Sequence, residues 1–265
     1  MAKNSGKSSK AARREAAQAQ AAALKAKQEA AERRSKIITF GALGAVLLAL
    51  IVVVIVVLFT GGDDVEAIDP GDGTVSVARD DFGIVVGPGG VAGGAEVPGV
   101  PEVGVYLDYT CGFCYRLEMV TLDTFTDHFN NGTANIVMYP VSILGADSAR
   151  IAAASVWVAE HAPERWFNYH VAIFVALHSD GRGISNSVLA EVALEEGVPD
   201  NVAAGIRNGT AAATFTPWVD AATQAFVNNP AVGQPATPAI MLNGVQWSGD
   251  WLTEGILAQA ILDAG

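Results

Sequence analysis

The apolar positions of this chain fall into four regimes. Residues 1–36 are rich in Ala, Gln, Lys and Arg and nearly lack large apolar side chains. Their propensity is helical, but no apolar stripe is available to bury against a core. Residues 37–59, IITFGALGAVLLALIVVVIVVLF, then run for 23 residues without a charge. As a helix rising about 1.5 Å per residue this stretch reaches about 35 Å, enough to cross a hydrocarbon core of about 30 Å with some tilt. A buried helix of a soluble domain is interrupted by polar residues on one face, and this run is not. The pattern predicts a transmembrane helix.

Residues 60–101 change character again, with TGGDDVEAIDPGDG and GPGGVAGGAEVPGVP dense in Gly, Pro and Asp. That composition predicts a flexible linker carrying one short strand over residues 82–86. From residue 102 to 265 the pattern becomes that of a folded domain large enough for one core. VGVYLDY (103–109) and NIVMYPVSI (135–143) read as strands, and a helix is expected to follow Cys111 with Phe113, Leu117, Val120 and Leu122 among its apolar positions. Residues 146–226 are Ala-rich with helical period, broken at Pro163 and at Gly197, with later helices in VPDNVAAGIRNG and TPWVDAATQAFVNN. PAIMLNGVQW predicts two short strands joined at Asn243-Gly244, and DWLTEGILAQAILDAG a closing helix.

Charge gives the apolar run an orientation. Residues 1–36 carry ten Lys/Arg and three Asp/Glu, a net of +7; the other 229 residues carry six Arg and 25 Asp/Glu, a net of −19, and together these make the formal −12. By the positive-inside rule residues 1–36 are a basic cytoplasmic tail and residues 60–265 lie outside the cytoplasm. The expected arrangement is a single-pass protein of the cell membrane, held in the lipid bilayer through residues 37–59. A cleaved leader fits less well, because the apolar run exceeds the usual about 7–15 residues and its lead is long. Nucleic acid is not an expected partner, since the basic tail has no accompanying aromatics and the rest is acidic.

The chain has two cysteines, Cys111 and Cys114, in YLDYTCGFCYR. A structural zinc site needs four ligands and this pair supplies two, while His128, His161, His170 and His178 form no closely spaced pair. A purely structural disulfide across two residues would close a loop so small that its chain-entropy benefit is least. A redox pair fits the local pattern better. Cys111 falls where a strand ends and a helix begins, so unpaired N–H groups and the helix dipole favour its thiolate. Cys114, a turn further in, is suited to resolving a mixed disulfide. Neither a nucleophile-elbow motif nor a phosphate loop is present, and neither a metal nor an organic cofactor is expected.

The run Tyr106-Leu107-Asp108-Tyr109-Thr110-Cys111-Gly112-Phe113-Cys114 resembles the active-site strand and helix start of DsbA-like thiol-disulfide oxidoreductases, within the thioredoxin superfamily. Ala236-Thr237-Pro238-Ala239-Ile240 resembles the segment in which that family keeps a cis-proline facing the redox pair, and ERWFNYHVAIF (164–174) resembles the aromatic helix of its helical insertion. About 125 residues separate Cys114 from Pro238, which suits a thioredoxin fold carrying such an insertion. The resemblance implies an α/β thioredoxin fold over residues 102–265 with an inserted helical subdomain at about 146–229. It further implies that Cys111 attacks or is attacked, that Cys114 resolves, and that Thr237 and Pro238 hold an extended substrate segment. Gly112 and Phe113, between the cysteines, depart from the Pro or His common in family oxidants, which leaves the direction of electron flow open. Asp108 is a candidate proton acceptor behind Cys114, or else a strand-end acid facing solvent. Arg116 is expected to point away from the sulfur, His170 to be core or groove packing beside Trp166, and Trp218, Trp247 and Trp251 to be core or a peptide-binding surface.

The implied partners are cysteine-containing exported or unfolded proteins and a redox partner that resets the pair. Two other functions stay open at this level: a tethered thiol reductase serving cofactor attachment or metal loading, and a non-enzymatic chaperone or binding module.

Overall fold

A computed structural model describes residues 68–265. The basic tail, the predicted transmembrane helix and the first part of the linker lie outside the described residues. Among the described residues no helix is long and apolar enough to cross a membrane.

At the centre are two parallel strands, β3 (Glu102–Leu107) and β4 (Asn135–Pro140). They belong to a six-stranded sheet of order β2-β1-β4-β3-β5-β6, in which every other pairing is antiparallel. β1 is Ile84–Gly87, β2 Val91–Ala92, β5 Ala239–Leu242 and β6 Val245–Trp247. Successive side chains of a strand point to opposite faces. Val103, Val105 and Leu107 of β3 accordingly join Ile136 and Met138 of β4 in one apolar cluster. Tyr106, Val137 and Tyr139 face the other way, into a smaller cluster with Phe226 and Met241. Both faces are covered, so these central strands read as continuous apolar runs and not as alternating ones.

The helix joining the parallel pair, α1 (Gly112–Asn131), buries Cys114, Leu117, Glu118, Thr121, Phe125 and Phe129. It ends on Gly132, whose left-handed φ of 64° returns its N–H to the His128 carbonyl. Between β4 and β5 the chain builds five helices: α2 (Ala146–His161), α3 (Trp166–His178), α4 (Asn186–Glu195), α5 (Asp200–Arg207) and α6 (Thr210–Val227). From Ile151 to Ala159 every residue of α2 is buried, which makes it the central helix of this group. Trp157 donates through Nε1 to the Val202 carbonyl at 2.8 Å, and Gly205 lies so close that a Cβ there would stand 2.4 Å from the indole.

Residues 68–101 correct the expectation of a flexible linker. Val75, Ile84, Val85, Val86 and Ala92 are buried, and β1 lies inside the sheet between β2 and β4. The glycines and prolines punctuate short apolar runs as turns, and those runs are long enough to pair. Arg79 fastens the segment, meeting Asp81, Glu96 at 3.0 Å, Glu102 at 2.7 Å and the Tyr139 hydroxyl at 2.9 Å. Ser76 reaches across to Glu160 of α2 through its N–H and hydroxyl, both at 2.7 Å.

Four boundaries differ from the pattern-based expectation. β3 stops at Leu107 and β4 at Pro140, because the residues that follow turn to build the site described next. α6 begins at Thr210 and carries Pro217 in its interior, where the sequence suggests a start. Burial of Ala211, Phe215 and Val219 offsets the roughly 3 kcal/mol that an interior proline costs. The last helix, α7, spans only Ile256–Asp263, because Asp250 folds the preceding segment into turns by accepting from Leu252 N, Thr253 N and Thr253 Oγ1. Asn243 and Gly244 do form the tight turn between β5 and β6, with φ of 49° and 78°.

Candidate active site

The turn after β3 sets the position of Cys111. Asp108 is fully buried; its Oδ1 accepts from Thr110 N (2.9 Å) and Thr110 Oγ1 (2.8 Å), and its Oδ2 from Leu144 N (3.1 Å). Its carbonyl accepts from Cys111 N at 3.0 Å. The carboxylate is therefore neither solvent-facing nor free behind Cys114: it braces the turn. Cys111 then stands as the N-cap of α1, with extended φ and ψ of −81° and 114°.

At that position the sulfur meets donors. The Cys111 thiol is lowered to about 5, first by a hydrogen bond from Cys114, then by the N–H groups of Cys114 and Phe113 and by contact with Thr237, against the opposing effect of burial. Cys114 moves the other way. Burial, and the hydrogen bond to Cys111 that requires its proton, push its thiol far above the ordinary range. Cys111 keeps 8% of its surface and Cys114 2%. The two thiols are unbonded here, and their asymmetry is that of a stabilised thiolate beside a protonated thiol.

Pairing of Ala239 with Tyr106 brings the chain before β5 alongside the pair. The Thr237-Pro238 bond is cis, and the Thr237 carbonyl accepts from Cys111 Sγ at 3.3 Å across 126 residues of sequence. Next to Pro238 lies a cavity of about 190 Å³ lined by Ile240, Gln246, Trp247, Ser248 and Trp251. Phe113 is 55% exposed and meets Trp251 edge-on at 6.5 Å. Arg116 lays its guanidinium over the outer Phe113 ring at 5.6 Å, away from the sulfur. A Cβ on Gly112 would touch nothing within 4 Å, so this position presents open backbone.

The structure thus gathers Cys111, Gly112, Phe113, Cys114, Thr237, Pro238, Trp247 and Trp251. It leaves Trp218 out, packed on Phe82 with ring centres 5.4 Å apart. A larger cavity of about 580 Å³ runs between α1 and α3 past Leu122, Phe129 and Phe167 and includes neither cysteine. Sequence reasoning missed Tyr109, Glu118 and Ser155. Tyr109 is fully buried with its hydroxyl 2.7 Å from His170 Nδ1 and 2.6 Å from Ser155 Oγ, and Glu118 faces His170. The signal for Glu118 was its i+4 relation to Cys114 on a helix whose neighbouring apolar positions mark the inner face. Among the described residues no group of three or more His, Cys, Asp or Glu side chains is arranged to hold a metal ion.

No family model matches the chain, and no curated protein matches it. Solved structures do. MdbA from Actinomyces oris, a thiol-disulfide oxidoreductase, is 19% identical with a TM-score of 0.62, covering 72% of this chain and 92% of its own. MdbA from Corynebacterium diphtheriae, likewise a thiol-disulfide oxidoreductase, is 21% identical with a TM-score of 0.58, covering 71% and 92%. Reduced DsbA from Mycobacterium tuberculosis is 24% identical with a TM-score of 0.55, covering 69% and 92%. What residues 68–265 share with these DsbA-like oxidoreductases is the fold: a mixed sheet of thioredoxin type carrying helices between β4 and β5.

Proposed function

We propose that this protein is a membrane-anchored, extracytoplasmic thiol-disulfide oxidoreductase that forms disulfides in exported proteins. The observation that carries the reading is the N-cap position of Cys111, where a hydrogen bond from Cys114 and two backbone N–H groups lower its thiol to about 5. The shared fold supports thiol-disulfide exchange as the general chemistry. The stabilised thiolate supports the disulfide-forming direction, because a pair whose reduced form is favoured gives up its disulfide readily. Gly112-Phe113 leaves that role to these donors, without a neighbouring imidazolium.

In this direction a substrate thiolate attacks the Cys111 sulfur of the Cys111–Cys114 disulfide. The bond breaks, its electron pair passes to Cys114, and Cys114 takes up a proton. The substrate's second thiolate then attacks the mixed disulfide and expels Cys111 as its stabilised thiolate. Substrate leaves oxidised, and an outside disulfide or quinone-linked partner must take two electrons to reset the pair. The cavity beside Pro238 and the exposed Phe113 ring suit an extended, partly apolar substrate segment. Location outside the cytoplasm rests on the basic lead before residues 37–59.

The test is the reduction potential of the pair, titrated against glutathione with the full chain in detergent. A value of about −120 to −180 mV is expected and places it with oxidases and isomerases; about −250 mV or lower makes it a reductase. Failure to equilibrate with glutathione leaves only a binding module.

A further inference from the structure

Two aromatic contacts show that α1 and α3 run antiparallel. Near the cysteines the Tyr115 and His178 rings stack with centres 5.4 Å apart, and at the other end Phe129 meets Phe167 edge-on at 5.1 Å. Along the two helices runs the cavity of about 580 Å³, bounded on its third side by α4. Its floor is apolar, with Leu122 and Phe129 from α1, Phe167, Val171 and Val175 from α3, and Val192 from α4. The Gly89-Gly90 turn lines its far end and is tied to α1 by a hydrogen bond from Gly89 N to Asn130 Oδ1 at 2.8 Å. Leu122, Val171 and Val175 are only half-buried, so this floor meets water. A groove of this volume lies within the range of ligand-binding clefts, about 300–1,000 Å³.

The rim gives the groove a sign. It carries four carboxylates, Asp123, Asp180, Glu195 and Glu196, and one cation, Arg182. Arg182 is already engaged, with its Nη2 3.0 Å from Glu195 Oε1 and 3.6 Å from Glu191 Oε2. Among the described residues no basic side chain lies within ion-pair distance of Asp123, Asp180 or Glu196. An apolar floor beneath unpaired carboxylates favours an apolar ligand that carries positive charge and disfavours an anionic one.

The distance from the cysteines narrows the ligand further. Leu122 follows Cys114 by eight residues on α1, about 12 Å along the helix axis, and Asn130 follows it by sixteen, about 24 Å. An extended chain covers about 3.3 Å per residue, so about four residues lead from a cysteine held at Cys111 to the near end and about eight to the far end. We propose that this groove is a second docking site for the substrate polypeptide. It takes an apolar segment flanked by Lys or Arg, while a cysteine about six to twelve residues away in the same chain reacts at Cys111. The proposal rests on the thiol-disulfide reading of Cys111 and Cys114. The cavity beside Pro238 serves the residues next to the reacting cysteine, and the groove serves residues further along. Because the groove contains neither cysteine, its occupant leaves the exchange steps unobstructed. Joining the two engagements in one chain makes the second intramolecular, so even weak binding in the groove raises the effective concentration of the substrate cysteine at Cys111.

The test is peptide oxidation by the full chain in nanodiscs of phosphatidylcholine, which supply no anionic headgroup and no free detergent to fill the groove. Three dithiol peptides are compared: a Leu/Lys block joined to the cysteines by eight Gly/Ser residues, the same block joined by one, and a Leu/Glu block joined by eight. The long-spacer Leu/Lys peptide should show a KM at least tenfold below the other two, with kcat equal within about twofold. Attraction by the acidic surface alone would favour both Leu/Lys peptides equally, so the spacer separates docking from general charge. Asp123 and Asp180 are exposed, and reversing both (Asp123→Lys with Asp180→Lys) should raise the KM of the long-spacer Leu/Lys peptide at least fivefold. The same variant should keep its rate with glutathione disulfide within about twofold. Equal KM values for the three wild-type peptides, equal gain from the short spacer, or a KM untouched by charge reversal overturns the docking site while leaving the exchange function standing. A wild-type chain that oxidises none of the peptides and forms no mixed disulfide with glutathione removes the function itself, and this proposal with it.

Discussion

Cys111 and Cys114 sit one helical turn apart, and their surroundings push their protons in opposite directions. Cys111 has donors around it at the start of α1, and Cys114 has burial and a neighbour that needs its proton. This gives a pH signature with a definite sign. Folding depresses the Cys111 thiol from about 8.5 to the about 5 of the folded chain. The resulting stability of the reduced form is fully present above the unfolded value and is lost as pH falls through the folded one. Denaturant melts of reduced and oxidised chain should therefore show the reduced form gaining on the oxidised between about pH 5 and 8.5. Above that window the raised Cys114 thiol works against further gain, because the unfolded chain then loses that proton more readily. A gap that does not vary with pH contradicts a stabilised thiolate. At the same scale, Cys114→Ala should accumulate covalent adducts between Cys111 and exported proteins, seen as reductant-sensitive bands on a gel, and Cys111→Ser should accumulate none.

At the scale of elements, helices packed between β4 and β5 carry residues that reach the surroundings of the cysteine pair, through His170 and His178 of α3. The packing that holds α3 depends on α2, and α2 is clamped by α5 at Trp157 and Gly205. Gly205→Ala places a methyl group against the indole, and overpacking of this kind costs about 1–3 kcal/mol. Thermal unfolding should show the loss, while the Cys111 titration stays where it was. The legibility of elements followed the same packing. β3, β4, the β5–β6 turn and α1 were readable because their apolar period or turn chemistry is local. The interior Pro217 of α6 and the shortness of α7 were not, because burial of Phe215 and Val219 and the side-chain bonds of Asp250 decided them.

Across the whole molecule, the segment before β3 proves to be part of the folded unit. Arg79 gathers three carboxylates and the Tyr139 hydroxyl where that segment meets the sheet. Arg79→Met should cost about 1–2 kcal/mol, less than a fully buried pair because the arginine retains contact with solvent. Limited proteolysis should then cut first within residues 68–101, and an unchanged cleavage pattern in that variant would remove Arg79 as the fastening point.

By itself the sequence determined what depends on neighbours along the chain. It marked an uncharged run long enough for a bilayer, a charge asymmetry, a cysteine at a strand-to-helix junction, and a Thr-Pro before a strand. Tertiary structure decided what depends on residues far apart meeting. Only the β3–β5 pairing sets Thr237 against Cys111, only the close of the turn on Leu144 makes Asp108 a brace, and only the docking of α3 on α1 turns Glu118 and His170 into a pair. Composition misjudged residues 68–101 for the same physical reason: glycine and proline report local backbone freedom, whereas the order of a segment is set by whether its few apolar residues find a sheet to join.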